Sequence, residues 1–233
     1  MDFGDKSPIM VYIKQESFVF LHTREEMTHK LEIARFKDKS RVLGPGVRSV
    51  VWFYGCRKHC PGCIAHRMNS SGEFQLQTAQ ELAEQIIAIE DTEGVTFSGG
   101  EPFDQEHESL LILLKKVRKA GKNVICFTGY HIEDIEAFPL GKRLLAEIDL
   151  LVDGEYREDE NHGTTLRGSD NQRMFFLTDC FATEKESLET GHERGIEFDL
   201  GLNHTLDITG IPEVGFLDSI EKKMSENGFE INW

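Results

Sequence analysis

The sequence predicts an α/β fold, arranged as an incomplete (βα)6 TIM-like barrel that is open on one side. Short runs rich in β-branched and aromatic residues alternate along the chain with amphipathic, helix-like segments, and this alternation is typical of parallel βαβ units. Six core strands can be identified, which is too few for a closed barrel of eight. The 233 residues suit one domain of barrel size.

Three segments of the chain are expected to differ in role. Residues 1–42 form a short N-terminal extension, residues 43–178 form the core, and residues 179–233 contribute a strand and a helix that complete the partial barrel. Strand-like runs at 18–21 and 31–36 predict a short hairpin within the extension. The turn residues Gly44-Pro45-Gly46 separate the extension from the first core strand.

The core elements follow in order from this turn. A strand at 47–54 is followed by a helix at 78–90, whose start is marked by the capping-box residues Thr78 and Glu81. After a strand at 94–98, a second helix is predicted at 104–120, ended by a glycine. The remaining strands are predicted at 123–128, 148–152, 173–177 and 196–200, and the remaining helices at 131–138, 142–147, 184–189 and 212–227.

Composition narrows the class of protein. The net charge of −15 repels nucleic acid and anionic membrane surfaces, so neither is an expected partner. No stretch approaches about 18 uncharged apolar residues, and the start of the chain lacks the pattern of a secretory signal, which predicts a cytoplasmic protein without a membrane span. Five cysteines, three of them clustered, favour reduced thiols that act as ligands over a disulfide framework.

The strongest chemical signal is the loop at residues 55–66. Cys56, Cys60 and Cys63 are separated by three and then two residues, and thiolates so close together are soft ligands for a metal centre. They suit three corners of an iron–sulfur cluster, or a zinc ion that takes His66 as its fourth ligand. The iron–sulfur interpretation is favoured, because structural zinc sites usually draw their ligands from two separate segments.

Further chemistry-bearing residues are predicted at the ends of other strands. Gly99-Gly100-Glu101 follows the second core strand, and glycines there let a ligand approach the backbone closely. Thr128 and Asp153 end two later strands. Because the carboxyl ends of parallel strands meet at one edge of a sheet, these residues and the cysteine loop are expected to converge on one face.

Several motifs therefore occur together in one chain. They are Gly44-Pro45-Gly46-Val47-Arg48, the three cysteines with Pro61-Gly62, Gly99-Gly100-Glu101-Pro102, Val152-Asp153-Gly154, and Arg167-Gly168-Ser169 with Asn171-Gln172. In this combination they resemble the radical S-adenosylmethionine enzymes, and more closely the activating enzymes of glycyl radical proteins. The resemblance covers residues 42–177. Gly62 strengthens the similarity to the activases, since many other radical enzymes have an aromatic residue before the third cysteine.

The resemblance implies a function and roles for these residues. Cys56, Cys60 and Cys63 would hold a [4Fe–4S] cluster, which reductively cleaves S-adenosyl-L-methionine to a 5′-deoxyadenosyl radical that abstracts a hydrogen atom. The implied partners are a glycyl radical enzyme, such as the anaerobic ribonucleotide reductase, and flavodoxin or ferredoxin as electron donor. The residues expected to contact the cofactor are Gly62, Ile64, Gly99, Gly100, Glu101, Thr128, Asp153 and Arg167.

Alternatives remain open for single residues and for the whole chain. Arg167 suits a carboxylate of the cofactor or partner, because a guanidinium binds carboxylates bidentately, but it would be solvated in an ordinary polar loop. Arg57, Lys58 and His59 form either a solvated run or a positive docking patch for an acidic electron donor. The protein could also modify a peptide or small metabolite, or be a zinc-stabilised binding module without catalysis.

Overall fold

The structure is a computed structural model that describes residues 29–66, 68, 72–200 and 206–228. The strand-like run expected at 18–21 lies outside these residues. Seven strands form the central sheet: β1 (Lys30–Ser40), β2 (Arg48–Phe53), β3 (Gln75–Thr78), β4 (Gly94–Gly99), β5 (Asn123–Phe127), β6 (Leu150–Asp153) and β7 (Arg173–Phe176). Their order across the sheet is β3-β1-β2-β4-β5-β6-β7.

The middle of this sheet is parallel and its margins are antiparallel. Strands β2, β4, β5 and β6 are parallel neighbours, whereas β1, β3 and β7 run antiparallel to the strands beside them. Two further strands, β8 (Ile196–Leu200) and β9 (Leu206–Gly210), form a separate antiparallel pair. The α/β class with a largely parallel sheet is confirmed, but six βα units and a closed barrel are not found in the described residues.

Two connections explain the difference from the expected arrangement. The short turn at Gly44-Pro45-Gly46 returns the chain directly, so that β1 pairs antiparallel with β2, whereas a parallel pairing would need a crossover connection. Residues 154–172, between β6 and β7, contain only the short 3-10 helix Glu158–Glu160, and β7 again pairs antiparallel. The sixth predicted strand, β8, is present but pairs with β9, which was not predicted.

Most of the helices pack on one face of the sheet, whereas Leu188 of the helix at 185–190 packs in the apolar layer on the other face. The helix predicted at 78–90 is confirmed, with a capping box in which Thr78 accepts from the Glu81 N–H and Glu81 accepts from the Thr78 N–H. The second helix begins later than predicted, because residues 102–104 form a 3-10 helix and Glu106 caps the α-helix. The helices are α1 (Ala79–Ala88), α2 (His107–Lys119), α3 (Ile132–Glu136), α4 (Gly141–Leu145), α5 (Lys185–Thr190) and α6 (Phe216–Glu226).

Alternate residues of the strands enter two separate apolar layers. Val51 and Phe97 lie in the larger core, where they are buried with Leu113 and other residues of α1 and α2. Ile125 belongs to a second layer with Phe181 on the other face. Burial of each such side chain contributes about 1.5–3 kcal/mol. This packing fixes the parallel strands, and therefore the loops that follow them.

The C-terminal part is bonded to the core through side chains. The Arg194 guanidinium donates to the carbonyl groups of Thr164 and Arg167 at 2.9 and 2.5 Å. Lys37 of β1 forms ion pairs with Glu197, at 3.1 Å, and with Asp199 of β8. None of the helices in the described ranges combines the length and hydrophobicity that crossing a lipid bilayer requires.

Candidate functional site

The cysteine loop starts at the carboxyl end of β2. Cys56, Cys60 and Cys63 are partly buried, and none forms a disulfide. The Cys63 N–H donates to the Cys60 carbonyl group at 3.3 Å. Gly62 has a φ of 73°, and a Cβ at this position would lie 2.9 Å from the carboxyl carbon of Glu158. The backbone angle therefore favours glycine before the third cysteine, whereas the Glu158 side chain is flexible and could move aside.

Backbone N–H groups surround the three thiols. Burial raises the pKa of each thiol, and hydrogen bonds from these N–H groups act in the opposite direction. Donors directed at sulfur favour the thiolate, which is the form that binds metal. The donors are Lys58, at 3.4 Å, and His59 toward Cys56, Tyr156 toward Cys60, and Ala65 toward Cys63.

The separation of the three thiol sulfurs can be compared with the separation that a zinc ion requires. A four-coordinate zinc ion with Zn–S bonds of about 2.3 Å holds its sulfur ligands about 3.8 Å apart. Among the described residues, one set of Cys, His, Asp or Glu side chains places three ligand atoms within 4.8 Å of one another, namely His131, Glu133 and Asp153. The sulfur atoms of the three cysteines are therefore not all within 4.8 Å of one another in the described chain.

Gly99, Gly100 and Glu101 lie directly against the start of the cysteine loop. The Gly100 N–H donates to the Phe53 carbonyl group at 2.8 Å, and the Glu101 N–H donates to the Gly55 carbonyl group at 2.7 Å. A Cβ on Gly100 would lie 2.1 Å from the Gly55 carbonyl oxygen, so only glycine fits this contact. The structure thus brings together the two motifs that the sequence places at neighbouring strand ends.

The Glu101 side chain joins the ends of β4 and β5. It is 1% exposed, and its Oε1 accepts from the Thr128 hydroxyl at 2.7 Å and from the Phe103 N–H at 3.0 Å. Its Oε2 accepts from the Gly129 N–H at 2.7 Å. Burial raises the pKa of Glu101 to about 7, although these donors lower it. Thr128 is buried with its hydroxyl bonded to Glu101, and it supports the two strand ends.

Asp153 is fully buried at the carboxyl end of β6, and three donors occupy its carboxylate. These are the Ile132 N–H at 2.7 Å and two guanidinium N–H groups of Arg173 at 2.9 and 2.5 Å. Arg173 also pairs with Glu133 at 2.7 Å, and this hydrogen-bonded pair holds the pKa of Glu133 at about 2. The Arg173 cation therefore pairs with both carboxylates of this set and offsets one of their two negative charges.

Arg167 and Ile64, which are also predicted to contact the cofactor, lie in different surroundings from each other. The Arg167 guanidinium donates to the Glu189 carbonyl group of α5 at 2.9 Å, and its Nε is buried without a hydrogen-bond partner in the described part of the chain. The Arg167 side chain thus contacts the C-terminal part of the chain. Ile64, which follows Cys63, is 50% exposed and offers apolar surface beside the third thiol.

Two acidic residues beside the loop were missed in the sequence. Asp104 accepts from the Arg57 backbone N–H at 2.9 Å, and Glu155 accepts from the Lys58 ammonium group at 3.1 Å. Asp104 closely follows Gly99-Gly100-Glu101, and Glu155 closely follows Asp153-Gly154. This position after a strand end could have indicated that both residues lie near the cysteine loop. Asp104 also lies 3.5 Å from the Arg57 guanidinium. The positive charges of the expected docking patch are therefore largely neutralised by carboxylates.

Comparisons with known proteins agree with this geometry. The family model described as a 4Fe-4S single cluster domain matches residues 42–175. The anaerobic ribonucleoside-triphosphate reductase-activating protein of Enterobacteria phage T4 is 33% identical over 144 residues, which are 59% of this chain and 89% of the phage protein. The protein of the same name from Escherichia coli K12 is 32% identical over 148 residues, which are 58% of this chain and 92% of the bacterial protein.

A relative with a different name is the pyruvate formate-lyase-activating enzyme of Clostridium pasteurianum. It is 33% identical over 142 residues, which are 56% of either chain. The segment matched by the family model contains the cysteine loop, Gly99-Gly100-Glu101, Thr128 and Asp153. The chain therefore belongs to the family of 4Fe-4S single cluster domains, among the radical S-adenosylmethionine activating proteins.

Proposed function

We propose that this chain activates a glycyl radical enzyme of the anaerobic ribonucleotide reductase type. Its cofactors are a [4Fe–4S] cluster and S-adenosyl-L-methionine. The observation that carries the proposal is the packing of Gly100 and Glu101 on Gly55. This contact places a glycine-bearing strand end beside a loop with three thiols, which is the arrangement needed for one small cofactor to reach both.

The residues present fit a four-iron cluster. Cys56, Cys60 and Cys63 are soft donors without disulfide bonds, and backbone N–H groups are directed at their sulfurs. We assign these three as its ligands, which leaves one of four irons for S-adenosylmethionine. When bound, the reduced cluster and S-adenosylmethionine supply a 5′-deoxyadenosyl radical that takes a hydrogen atom from the partner. The family match disfavours the zinc-stabilised module.

The turn at Gly99-Gly100-Glu101 suits the amino group of S-adenosylmethionine. The N–H groups of Gly100 and Glu101 already donate to the carbonyl groups of Phe53 and Gly55. A bound ammonium group would therefore meet backbone carbonyl oxygens of this turn, which are acceptors of the correct polarity. We assign this contact to the backbone, and we assign the Glu101 and Thr128 side chains to holding the turn in place.

Indirect roles are assigned to the other predicted contacts. Asp153 is saturated by donors, so we propose that it fixes the end of β6 together with Arg173. Gly62 permits the tight turn before the third ligand, and Ile64 supplies apolar cover for the cofactor. Arg167 is proposed to tie the segment before β7 to α5 through its bond to Glu189.

The partner and the reductant follow from the same chemistry. The phage and Escherichia coli relatives are named for an anaerobic ribonucleoside-triphosphate reductase, and we propose such a reductase as the substrate. We propose that the edge of the sheet at the cysteine loop is open enough to admit a backbone loop of that partner. Flavodoxin or ferredoxin is the proposed electron donor, as a low-potential carrier able to reduce the cluster.

The proposal is tested by anaerobic reconstitution with iron and sulfide, followed by reduction in the presence of S-adenosylmethionine and an anaerobic ribonucleoside-triphosphate reductase. We expect 5′-deoxyadenosine and a glycyl radical on the reductase in electron paramagnetic resonance spectra. The Cys60→Ala variant should produce neither. Cys180→Ala, which changes an exposed cysteine outside the loop, is the matched control and should produce both.

Each product tests a different part of the proposal. Formation of 5′-deoxyadenosine without a radical on the reductase would reject this partner and leave the cofactor chemistry intact. Pyruvate formate-lyase is then the next enzyme to test, given the relative from Clostridium pasteurianum. Absence of 5′-deoxyadenosine from the reconstituted wild-type protein would reject the proposed function.

A further inference from the structure

The first residue after Cys56 is held by a side chain from outside the loop. Asp104, at the end of the 3-10 helix that follows β4, has a side chain only 9% exposed. Its Oδ2 accepts from the Arg57 backbone N–H at 2.9 Å. Asp104 thus anchors the backbone of the loop one residue from the first thiol.

The second oxygen of Asp104 is held by Tyr130. The Tyr130 hydroxyl donates to Asp104 Oδ1 at 2.8 Å, and the Tyr130 backbone N–H donates to Thr128 Oγ1 at 3.1 Å. Burial and the bond to Asp104 raise the pKa of Tyr130 to about 12, so its hydroxyl stays protonated and remains a donor at neutral pH. The end of β5 therefore supports Asp104, which in turn supports the loop.

Tyr130 also contacts the second residue after Cys56. The Lys58 ammonium group lies 4.2 Å from the centroid of the Tyr130 ring, a distance at which a cation is attracted to an aromatic face. The Lys58 backbone N–H donates to Cys56 Sγ at 3.4 Å. Asp104 therefore holds Arg57, and Tyr130 holds Lys58. The Lys58 N–H that donates to Cys56 Sγ lies in this held segment.

We infer that Asp104 and Tyr130 are positioning residues for the cluster. They hold Arg57 and Lys58 so that the Cys56 thiolate, and the N–H donated to it, keep the placement that an iron ligand needs. Both residues act through the backbone and side chains of the loop, as outer groups do at other metal sites. The inference rests on the proposed function in one respect, namely that Cys56 is a cluster ligand.

The rate of iron loss to a chelator under anaerobic conditions tests this inference. Asp104→Ala removes the bonds to Arg57 and to Tyr130, and the reconstituted variant should release iron about tenfold faster than wild type. Asp104→Asn keeps an oxygen for the Arg57 N–H and gains an N–H for the Tyr130 oxygen, so it should release iron slowly. Tyr130→Phe keeps the ring beneath Lys58 but loses the hydroxyl, and it should fall between the two.

Hydrogen exchange of the Arg57 amide in the iron-free chain provides a readout that needs no cluster. The amide should exchange faster in Asp104→Ala than in wild type or Asp104→Asn. Asp134→Ala removes an exposed carboxylate of α3 and should change neither measurement. Tyr130→Phe and Asp104→Asn preserve the test if Asp104→Ala does not fold, since iron loss from Tyr130→Phe must still exceed that from Asp104→Asn.

Three outcomes separate the inference from the proposed function. Equal iron release and equal amide exchange in all variants would overturn the positioning role while the proposed function stands. An Asp104→Asn variant that loses iron as fast as Asp104→Ala would also overturn it, because the charge and not the bonds would then matter. A wild-type chain that takes up no four-iron cluster would instead overturn the proposed function.

Discussion

Arg48 at the amino end of the parallel strands and the cysteine thiols at the carboxyl end differ in burial and in hydrogen bonding. At the amino end of β2, Arg48 is fully buried, and its guanidinium donates to Thr96 Oγ1, to the Pro45 carbonyl group and to Asn123 Oδ1 at 2.8, 2.6 and 2.6 Å. At the carboxyl end, the cysteine thiols are only partly buried, and backbone N–H groups surround them.

Arg48 at the amino end is placed to stabilise the sheet, whereas the cysteine thiols at the carboxyl end are placed to bind a metal centre. Polar groups that bond one another completely make one end of the sheet rigid. At the other end, soft ligands retain the capacity to bind a metal, and their supporting hydrogen bonds come from neighbouring strand ends. Changes at the amino end should therefore affect the free energy of unfolding and leave the cofactors bound. Changes to the cysteine loop at the carboxyl end should affect the cofactors, whereas the buried Glu101 at that end should also contribute to stability.

The largest expected effect is on stability, from Arg48→Ala. Burial lowers the pKa of Arg48 to about 10, so the guanidinium is still charged at neutral pH and its loss leaves buried acceptors without donors. We expect the free energy of unfolding to fall by about 3–5 kcal/mol, with the iron content of the folded protein unchanged. Urea unfolding measures this. Arg143→Ala, at an exposed position of α4, should change it by less than about 0.5 kcal/mol.

A pH dependence is expected from Glu101 at the carboxyl end. Its pKa is about 7 in the folded chain, raised by burial from an ordinary value of 4.5. The folded chain therefore keeps this proton up to about pH 7, whereas the unfolded chain releases it near pH 4.5. The contribution of Glu101 to stability should decrease by up to about 3 kcal/mol as the pH rises from 4.5 to 7, and stay level above that.

The Glu101→Gln variant isolates this contribution, because an amide does not titrate. Urea unfolding between pH 5 and pH 8 should show a smaller fall in stability with rising pH for the variant than for wild type. Subtracting the two curves removes the effect of the other carboxylates. Identical curves would show that Glu101 ionises at the same pH in the folded and unfolded chains, so that burial does not raise its pKa above the effect of its hydrogen-bond donors.

An effect on the chemistry alone is expected from Gly100→Ala. The new Cβ would collide with the Gly55 carbonyl oxygen, 2.1 Å away, and would push the cysteine loop from the end of β4. A displacement of this size should lower the rate of 5′-deoxyadenosine formation about a hundredfold. Gly121→Ala, where a Cβ meets nothing within 4 Å but the φ of 81° strains an alanine, controls for a strained glycine replacement away from the site, and its rate should match wild type.

The smallest effect is expected from charge reversal in the positive patch. Arg57→Glu should slow reduction by flavodoxin about two- to threefold at low salt and leave reduction by dithionite unchanged. Lys58 is left in place because its ammonium group contacts Tyr130. The effect is small because Asp104 already neutralises the Arg57 cation. Equal slowing by both reductants would show that the substitution damages the cluster and does not act on docking.

The parts of the site that local sequence determines could be predicted. The capping pair Thr78 and Glu81 starts α1 as expected, and the cysteine loop and Gly99-Gly100-Glu101 converge because each follows a parallel strand. Periodicity and turn residues are local signals, and they located all six core strands within a few residues.

The remaining features depend on pairings between distant segments. Asp153 is predicted to contact the cofactor, and what the sequence did not indicate is that antiparallel pairing of β6 with β7 places it opposite Arg173, whose guanidinium donates to its carboxylate. Nothing near Asp153 in the sequence indicates that register. The pairing of β8 with β9 and the bond from Asp104 to the cysteine loop are likewise long-range contacts, so composition and spacing did not predict them.

The central claim is that three cysteines bind a four-iron cluster with one iron left for S-adenosylmethionine. Electron paramagnetic resonance of the reduced protein, recorded before and after addition of S-adenosylmethionine, tests it most directly. We expect the signal of a reduced [4Fe–4S] cluster that changes shape on addition, in wild type and in Cys180→Ala. A spectrum that S-adenosylmethionine leaves unchanged, or a protein that binds zinc and shows no such signal, would contradict the account.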